Sequence, residues 1–228
     1  MPIRVDAIED VFPIADFIAD SFGRSAEVVV HDAMDLEASI VYIRNGELSG
    51  RKVGDCATDR ALKLIRDNRA ADVEYVSNYA GKSLEQRDFR CSTMFVRNRE
   101  NRLVGLLCIN INITGLNSAI ELLEAVLHGG GSAREAVSGA TLNAAPQSTF
   151  EGVLQGDPRE TVRQIVRRVL AGFPTAIERM SKAERLTALK AIDEEGVFLM
   201  KGAVSIVAEE LSVSVPTIYK YLRELQVD

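Results

Sequence analysis

A cluster of hydroxyls and cations close to the C-terminal end is the part of this 228-residue chain best equipped to hold another molecule. The stretch "SIVAEELSVSVPTIYKYLREL" (205–225) divides into two helices around a tight turn. The first is predicted over about 203–211, with Val204, Val207, Ala208 and Leu211 inward. A small residue such as Ala208 is what a close helix crossing needs. Ser212-Val213-Ser214 forms the turn, Ser214 caps the second helix, and Pro216 sits in its first turn, where no amide partner is lost. Ile218, Tyr221, Leu222 and Leu225 then face inward. Pro216, Thr217, Tyr219, Lys220 and Arg223 face outward, a set suited to phosphates and base edges. The spacing is that of a helix-turn-helix whose second helix enters the major groove. Ser212 takes the turn position that glycine fills more cheaply, because the backbone there must be left-handed. The plainer alternative is an αα-hairpin in a helical bundle.

A second constellation lies on a strand. In "LVGLLCININ" (103–112), alternation puts Val104, Leu106, Cys108, Asn110 and Asn112 on one side, and Leu103, Leu107, Ile109 and Ile111 on the other. Buried amides need partners. Here they either bond loop backbone at the end of the sheet or line a pocket for a small molecule.

Catalytic signatures are missing from the sequence: it has no glycine-rich phosphate loop, no G-x-S-x-G and no H-E-x-x-H, and a non-enzymatic protein is expected. Cys56, Cys91 and Cys108 form no C-x-x-C pair and read as buried, reduced thiols. His31 and His128 stand at no ligand spacing from any cysteine, so no metal is expected.

These residues need elements to position them. A helix is predicted over 7–22, with a kink or a start near Pro13. Strands are predicted over 27–32 and 38–43, followed by an Asn45-Gly46 turn. A helix spans 57–68, and 72–81 is mixed in character. The strongest hairpin joins 91–97 to 103–111 through the polar turn "NREN", and 119–127 is helical. Residues 129–156 are rich in Gly, Ser, Ala and Thr without apolar period, and are read as a flexible linker. Two helix starts follow: Asp157-Pro158 with Glu160, and the Ser181…Glu184 capping box. Strands first and helices afterwards argue for two domains, which the linker would uncouple.

The net charge of −6 resides wholly in residues 1–156, since residues 157–228 carry 11 basic and 11 acidic side chains. Bulk charge therefore neither favours nor excludes nucleic acid. No apolar run approaches the ~18 residues of a membrane span, and the N-terminus lacks a signal-peptide core, so a cytoplasmic protein is expected.

The blocks "EVVVHD", "GRKVGD", "FRCSTMFVR" and "VGLLCIN", in that order and followed by "KGAVSIVAEELSVSVPTIYKYL", resemble the YheO-like (DauR-like) PAS/helix-turn-helix transcriptional regulators. The resemblance covers nearly everything outside the linker. It implies an α+β chain: a PAS-like sensor over 1–128 with an antiparallel five-stranded sheet, helices on one face and a pocket between them. A helix-turn-helix domain over 157–228 follows the 129–156 linker. It further implies a homodimer that binds double-stranded DNA in response to a small-molecule effector, an amino acid being one candidate. Residues placed to touch that effector are His31 and Asp32 at the end of the first strand, Ser92 and Thr93 on a central strand, Cys108, Asn110 and Asn112 on its neighbour, and Arg51 or Arg90 for an anionic group. DNA contacts are expected from Ser214, Pro216, Thr217, Tyr219, Lys220 and Arg223. The family's Cys-Ile-Asn-x-Asp run ends here in Asn112, which puts a cationic ligand in question. Two rival readings remain: a haem or flavin sensor through His31 or Cys108, although no cofactor block is present, and a dimerisation module without DNA binding.

Overall fold

The computed structural model describes residues 4–68, 73–83, 85–128 and 157–225. The N-terminal part contains strands β1 (Arg4–Val5), β2 (Ala26–Asp32), β3 (Ile40–Arg44), β4 (Tyr75–Lys82), β5 (Asp88–Asn98) and β6 (Leu103–Asn112). Helices α1 (Phe12–Phe22), α2 (Asp59–Asn68) and α3 (Thr114–His128) accompany them. The C-terminal part is helical: α4 (Pro158–Ala171), α5 (Lys182–Glu194), α6 (Ala203–Glu210) and α7 (Val215–Leu225). The expected linker, 129–156, lies outside the described residues.

Five strands pair antiparallel in the order β4-β5-β6-β2-β3, and the two-residue β1 adds a parallel pairing at the far end of β5. The β-branched run of β2 lies inside the sheet between β6 and β3, buried on both faces. Pro13 costs nothing, because a short 3-10 turn (Ile8–Val11) precedes α1 and leaves the proline in its first turn.

Helices cover both faces of the sheet, where one face had been expected. On one side, Val11, Ala15 and Ala19 of the N-terminal helix pack on Val28, Val30, Val96 and Leu107. On the other, Ala61 and Ile65 of α2 share one apolar cluster with Val29, Phe95 and Leu106. The period-two rule fails at the start of β6. Val104 packs with the α1 face and Leu103 with Leu106 and Cys108, the reverse of the expected sides, because the β5–β6 register slips between Val96 and Arg97. Such a bulge turns the side chains beyond it to the other face.

The two parts do not stand apart, as the linker had suggested they would. One apolar cluster runs from the sheet through α2 into Val162, Leu189, Ile192 and Val197. Ion pairs rim the contact: Lys63–Glu195 at 2.7 Å, Arg66–Asp193 at 2.7 Å and Arg168–Asp59 at 2.6 Å. These charged residues look like solvent faces in the sequence. They pair because the apolar sides of α2 and α5 are already in contact.

Candidate functional site

Between α2 and the sheet lies a cavity of about 60 Å³. It is smaller than the ~150 Å³ void that accommodates benzene, so it suits a compact solute unless its roof yields. Alternation along three strands builds its floor. Glu27 and His31 come from β2, Cys91 and Thr93 from β5, and Cys108 and Asn110 from β6. Arg60, Ala61 and Leu64 of α2 form the roof, and Tyr79, Gly81 and Lys82 of β4 a side wall. A Cβ on Gly81 would fall 2.7 Å from Cys91 Sγ, so a larger residue here would have to displace the thiol.

Polar groups at this floor are held by one another. The Glu27 carboxylate, fully buried, accepts from the Arg51 guanidinium, the Ser49 hydroxyl and, at 2.9 Å, Asn110 Nδ2. Arg51 Nε also donates to Ser49 Oγ at 3.1 Å. A buried ion pair is tolerable only when its remaining lone pairs are met in this way. The Tyr79 and Thr93 hydroxyls lie 2.7 Å apart, Thr93 Oγ1 is 3.2 Å from Cys108 Sγ, and Arg60 Cζ sits 4.7 Å above the Tyr79 ring.

Burial shifts the acid–base chemistry toward neutral forms. His31 falls to about 3, first through desolvation and then through the charge of Arg51, and its Nδ1 lies 2.9 Å from Ser39 Oγ. Desolvation pushes the Cys91 thiol up to about 12 and raises Cys108 and Tyr79 as well. Neither thiol is a nucleophile at neutral pH.

Of the residues singled out in the sequence, His31, Arg51, Thr93, Cys108 and Asn110 meet at this cavity. Four lie elsewhere. Asp32 Oδ1 accepts from the Met34 amide, and Asn112 Oδ1 accepts from the Thr114 amide where α3 begins. Ser92 accepts from the Asn78 amide on the opposite face of β5, and Arg90 is exposed. Each is turned away by alternation or by a local turn. Sequence reasoning missed Glu27, Arg60, Tyr79 and Cys91. Glu27 carried a signal, since it shares the period-two face of "EVVVHD" with His31.

At the other end of the molecule, α6 and α7 cross over a core of Ile206, Val207, Ala208, Leu211 and Ile218. Val204 is only half-buried; Ala203 and Ile206 carry the inward side instead. Ser212 adopts the left-handed conformation, φ 52°, that the turn requires. Ser214 Oγ accepts from the Thr217 amide at 3.3 Å and lies 2.8 Å from the Thr217 hydroxyl. Pro216, Tyr219, Lys220 and Arg223 are exposed along α7, and Thr217 is half-buried. The acids of α6 are turned away from this face: Arg163 bonds both Glu209 and Glu210, and Arg167 bonds Glu210. Those arginine bonds hold the Glu210 carboxyl below its ordinary range.

Residues 4–128 match the family model described as YheO-like PAS domain. The chain belongs to the YheO-like PAS family. Its residues 161–223 match a helix-turn-helix domain. This YheO-like chain is 28% identical over 221 residues to "Uncharacterized protein YheO" of Escherichia coli K12, covering 97% of this chain and 85% of that one. It is 28% identical over 225 residues to "Transcriptional regulator DauR" of Pseudomonas aeruginosa, covering 99% and 97%. A YheO-like PAS domain joined to a helix-turn-helix is the make-up of a DNA-binding transcriptional regulator. No described helix is long and apolar enough to cross a membrane, and the described residues hold no cluster of three metal-ligating side chains.

Proposed function

We propose that this YheO-like regulator is switched by a small polar metabolite of the amino-acid kind, bound in the cavity under α2, and that it grips operator DNA as a homodimer. It works by binding and catalyses no reaction. Operator contact falls to α7, through Ser214, Pro216, Thr217, Tyr219, Lys220 and Arg223. In the cavity, Thr93, Tyr79 and Asn110 supply hydrogen bonds to the metabolite, and the cations Arg60 and Lys82 favour an anionic group such as a carboxylate. The name of the Pseudomonas relative, a transcriptional regulator, supports the regulatory half of this reading.

The observation that carries the proposal is that α2 serves two sites. Arg60, Ala61 and Leu64 roof the cavity, while Leu62, Lys63 and Arg66 on its other side hold the C-terminal helices. A metabolite larger than 60 Å³ would press on α2, and α2 is tied to the C-terminal helices through Lys63–Glu195 and Arg66–Asp193. Ligand and DNA are then coupled through one rigid element, provided the ligand favours one of its positions. A gel shift with the DNA flanking the protein's own gene, with and without a panel of amino acids, tests this. A retarded band whose midpoint moves with one amino acid supports the reading. Absence of any retarded band, or a midpoint indifferent to every compound, contradicts it.

A further inference from the structure

Helix α3 is amphipathic in the wrong direction for a helix docked on its own domain. Its first turn is tied to the sheet by polar bonds: Asn117 Nδ2 donates to Asp88 Oδ2 at 3.0 Å, the Asp88 amide donates to Thr114 Oγ1 at 2.8 Å, and Asn117 and Glu124 are half-buried. Its apolar side is turned out. Leu116, Ile120, Leu123 and Leu127 are 52–75% exposed, and Leu122 and Val126 beside them are equally open. A contiguous apolar patch on this scale marks an interaction site.

Spacing identifies the occupant. The four residues recur at intervals of 4, 3 and 4, which is a heptad seam and not the 3.6-residue stripe of a helix packed on a globular core. In that register Leu116 and Leu123 are at d, and Ile120 and Leu127 are at a. A β-branched residue at a with leucine at d favours a parallel two-stranded pairing. The flanking g positions, Ala119 and Val126, are uncharged. Of the acids, Glu121 lies off the seam at b, and Glu124, at e, faces the uncharged g positions across it, so two identical copies meet without like charges opposed. The five large side chains on the seam and at its flank, Leu116, Ile120, Leu123, Val126 and Leu127, leave on the order of 570 Å² per copy open, close to the ~600 Å² per partner at the lower end of stable interfaces. Two heptads are short for an isolated coiled coil. The Asp88 anchor removes that difficulty, because the helix is ordered before its partner arrives.

We propose that the outward face of α3 is the homodimer seam of this protein, taking α3 of a second copy in parallel. The proposal rests on the dimeric regulator described above and names the surface that makes it dimeric. The parallel pairing brings both sensor domains to the same end of the seam, so a change in one cavity is opposed by the same change in the other.

Sedimentation equilibrium of the full chain at micromolar concentration tests the seam without DNA or metabolite. The parent should sediment as a dimer, and Ile120→Glu/Leu123→Glu as a monomer with unchanged helical circular dichroism, since both side chains are already in solvent. Leu116→Cys and Leu127→Cys, made separately, should each crosslink to their own kind with a short bis-maleimide; the native thiols are buried. A monomeric parent, or a dimer that survives the two glutamates, overturns the proposal. So does crosslinking only in the mixture of the two cysteine variants, which would mean an antiparallel pair. A gel shift on the same samples keeps the questions separate: a parent that is monomeric yet retards operator DNA defeats the seam alone.

Discussion

Gly196 stands against Leu62 across the boundary between the two parts of the chain: a Cβ at Gly196 would lie 2.7 Å from the Leu62 carbonyl oxygen. Gly196 is also left-handed, at φ 78°. Glycine therefore meets two demands there, one conformational and one steric. Gly202, at φ 72°, meets only the first, since nothing lies within 4 Å of its Cβ direction. Gly202→Ala should cost about 1 kcal/mol, the ordinary strain of a left-handed alanine. Gly196→Ala should cost more, about 2–4 kcal/mol, because the contact must also open. Urea unfolding of both variants measures the difference. Equal losses would mean that α2 and the C-terminal helices are not held at this contact.

His31 predicts a pH dependence. Its folded value, about 3, lies below the ~6.5 of an unfolded histidine. Between those values the unfolded chain binds a proton that the folded chain refuses, so stability rises with pH across the window. The contribution is complete above about pH 6.5 and is lost on acidification at up to ~1.4 kcal/mol per pH unit. Urea unfolding at pH 7, 6 and 5 should show this slope in the parent. In His31→Gln, whose amide can still meet Ser39, the slope should be shallower by most of that amount. An unchanged slope would place the acid sensitivity in the carboxylates alone.

How much of this was legible in the sequence depends on the range of the contacts involved. The β5–β6 hairpin announced itself through two β-rich runs and a polar turn. The α6–α7 pair did so through Ser214, Pro216 and the inward spacing. These are local patterns. Tyr79 and Arg60 gave no sign, because their meeting depends on β4 and α2 converging over the sheet. Val104 was misassigned because a bulge is a property of two paired strands and leaves no mark on one. Lys63, Arg66, Asp193 and Glu195 read as solvent charges, and only the packing of α2 on α5 makes them partners.

Lys220 carries the DNA side. It is exposed on α7 and makes no ion pair among the described residues. Lys220→Ala should leave the melting temperature within about a degree of the parent, since surface truncations are usually within ±0.5 kcal/mol. If Lys220 meets a phosphate, affinity should fall for all sequences, and the log–log salt slope should drop by about one unit. A gel-shift or anisotropy titration between 50 and 200 mM salt, as in standard practice for such slopes, provides the measurement. Unchanged affinity and slope would mean that another face of the domain meets DNA.

The central claim is that occupancy of the α2 cavity alters DNA binding, and Asn110 tests it most directly. Its side chain lines the cavity from the sheet side, away from the C-terminal helices, and Asn110→Ala leaves Glu27 its bonds to Arg51 and Ser49. A melting-shift screen of amino acids on the parent identifies the effector; at about 100 times its Kd, stabilisation should reach ~2.7 kcal/mol. Operator affinity is then titrated against that effector for parent and Asn110→Ala. The account predicts that the parent's affinity changes with effector, while the variant binds the ligand-free operator as the parent does and fails to respond. A variant whose operator affinity follows the effector along the parent's curve would contradict it.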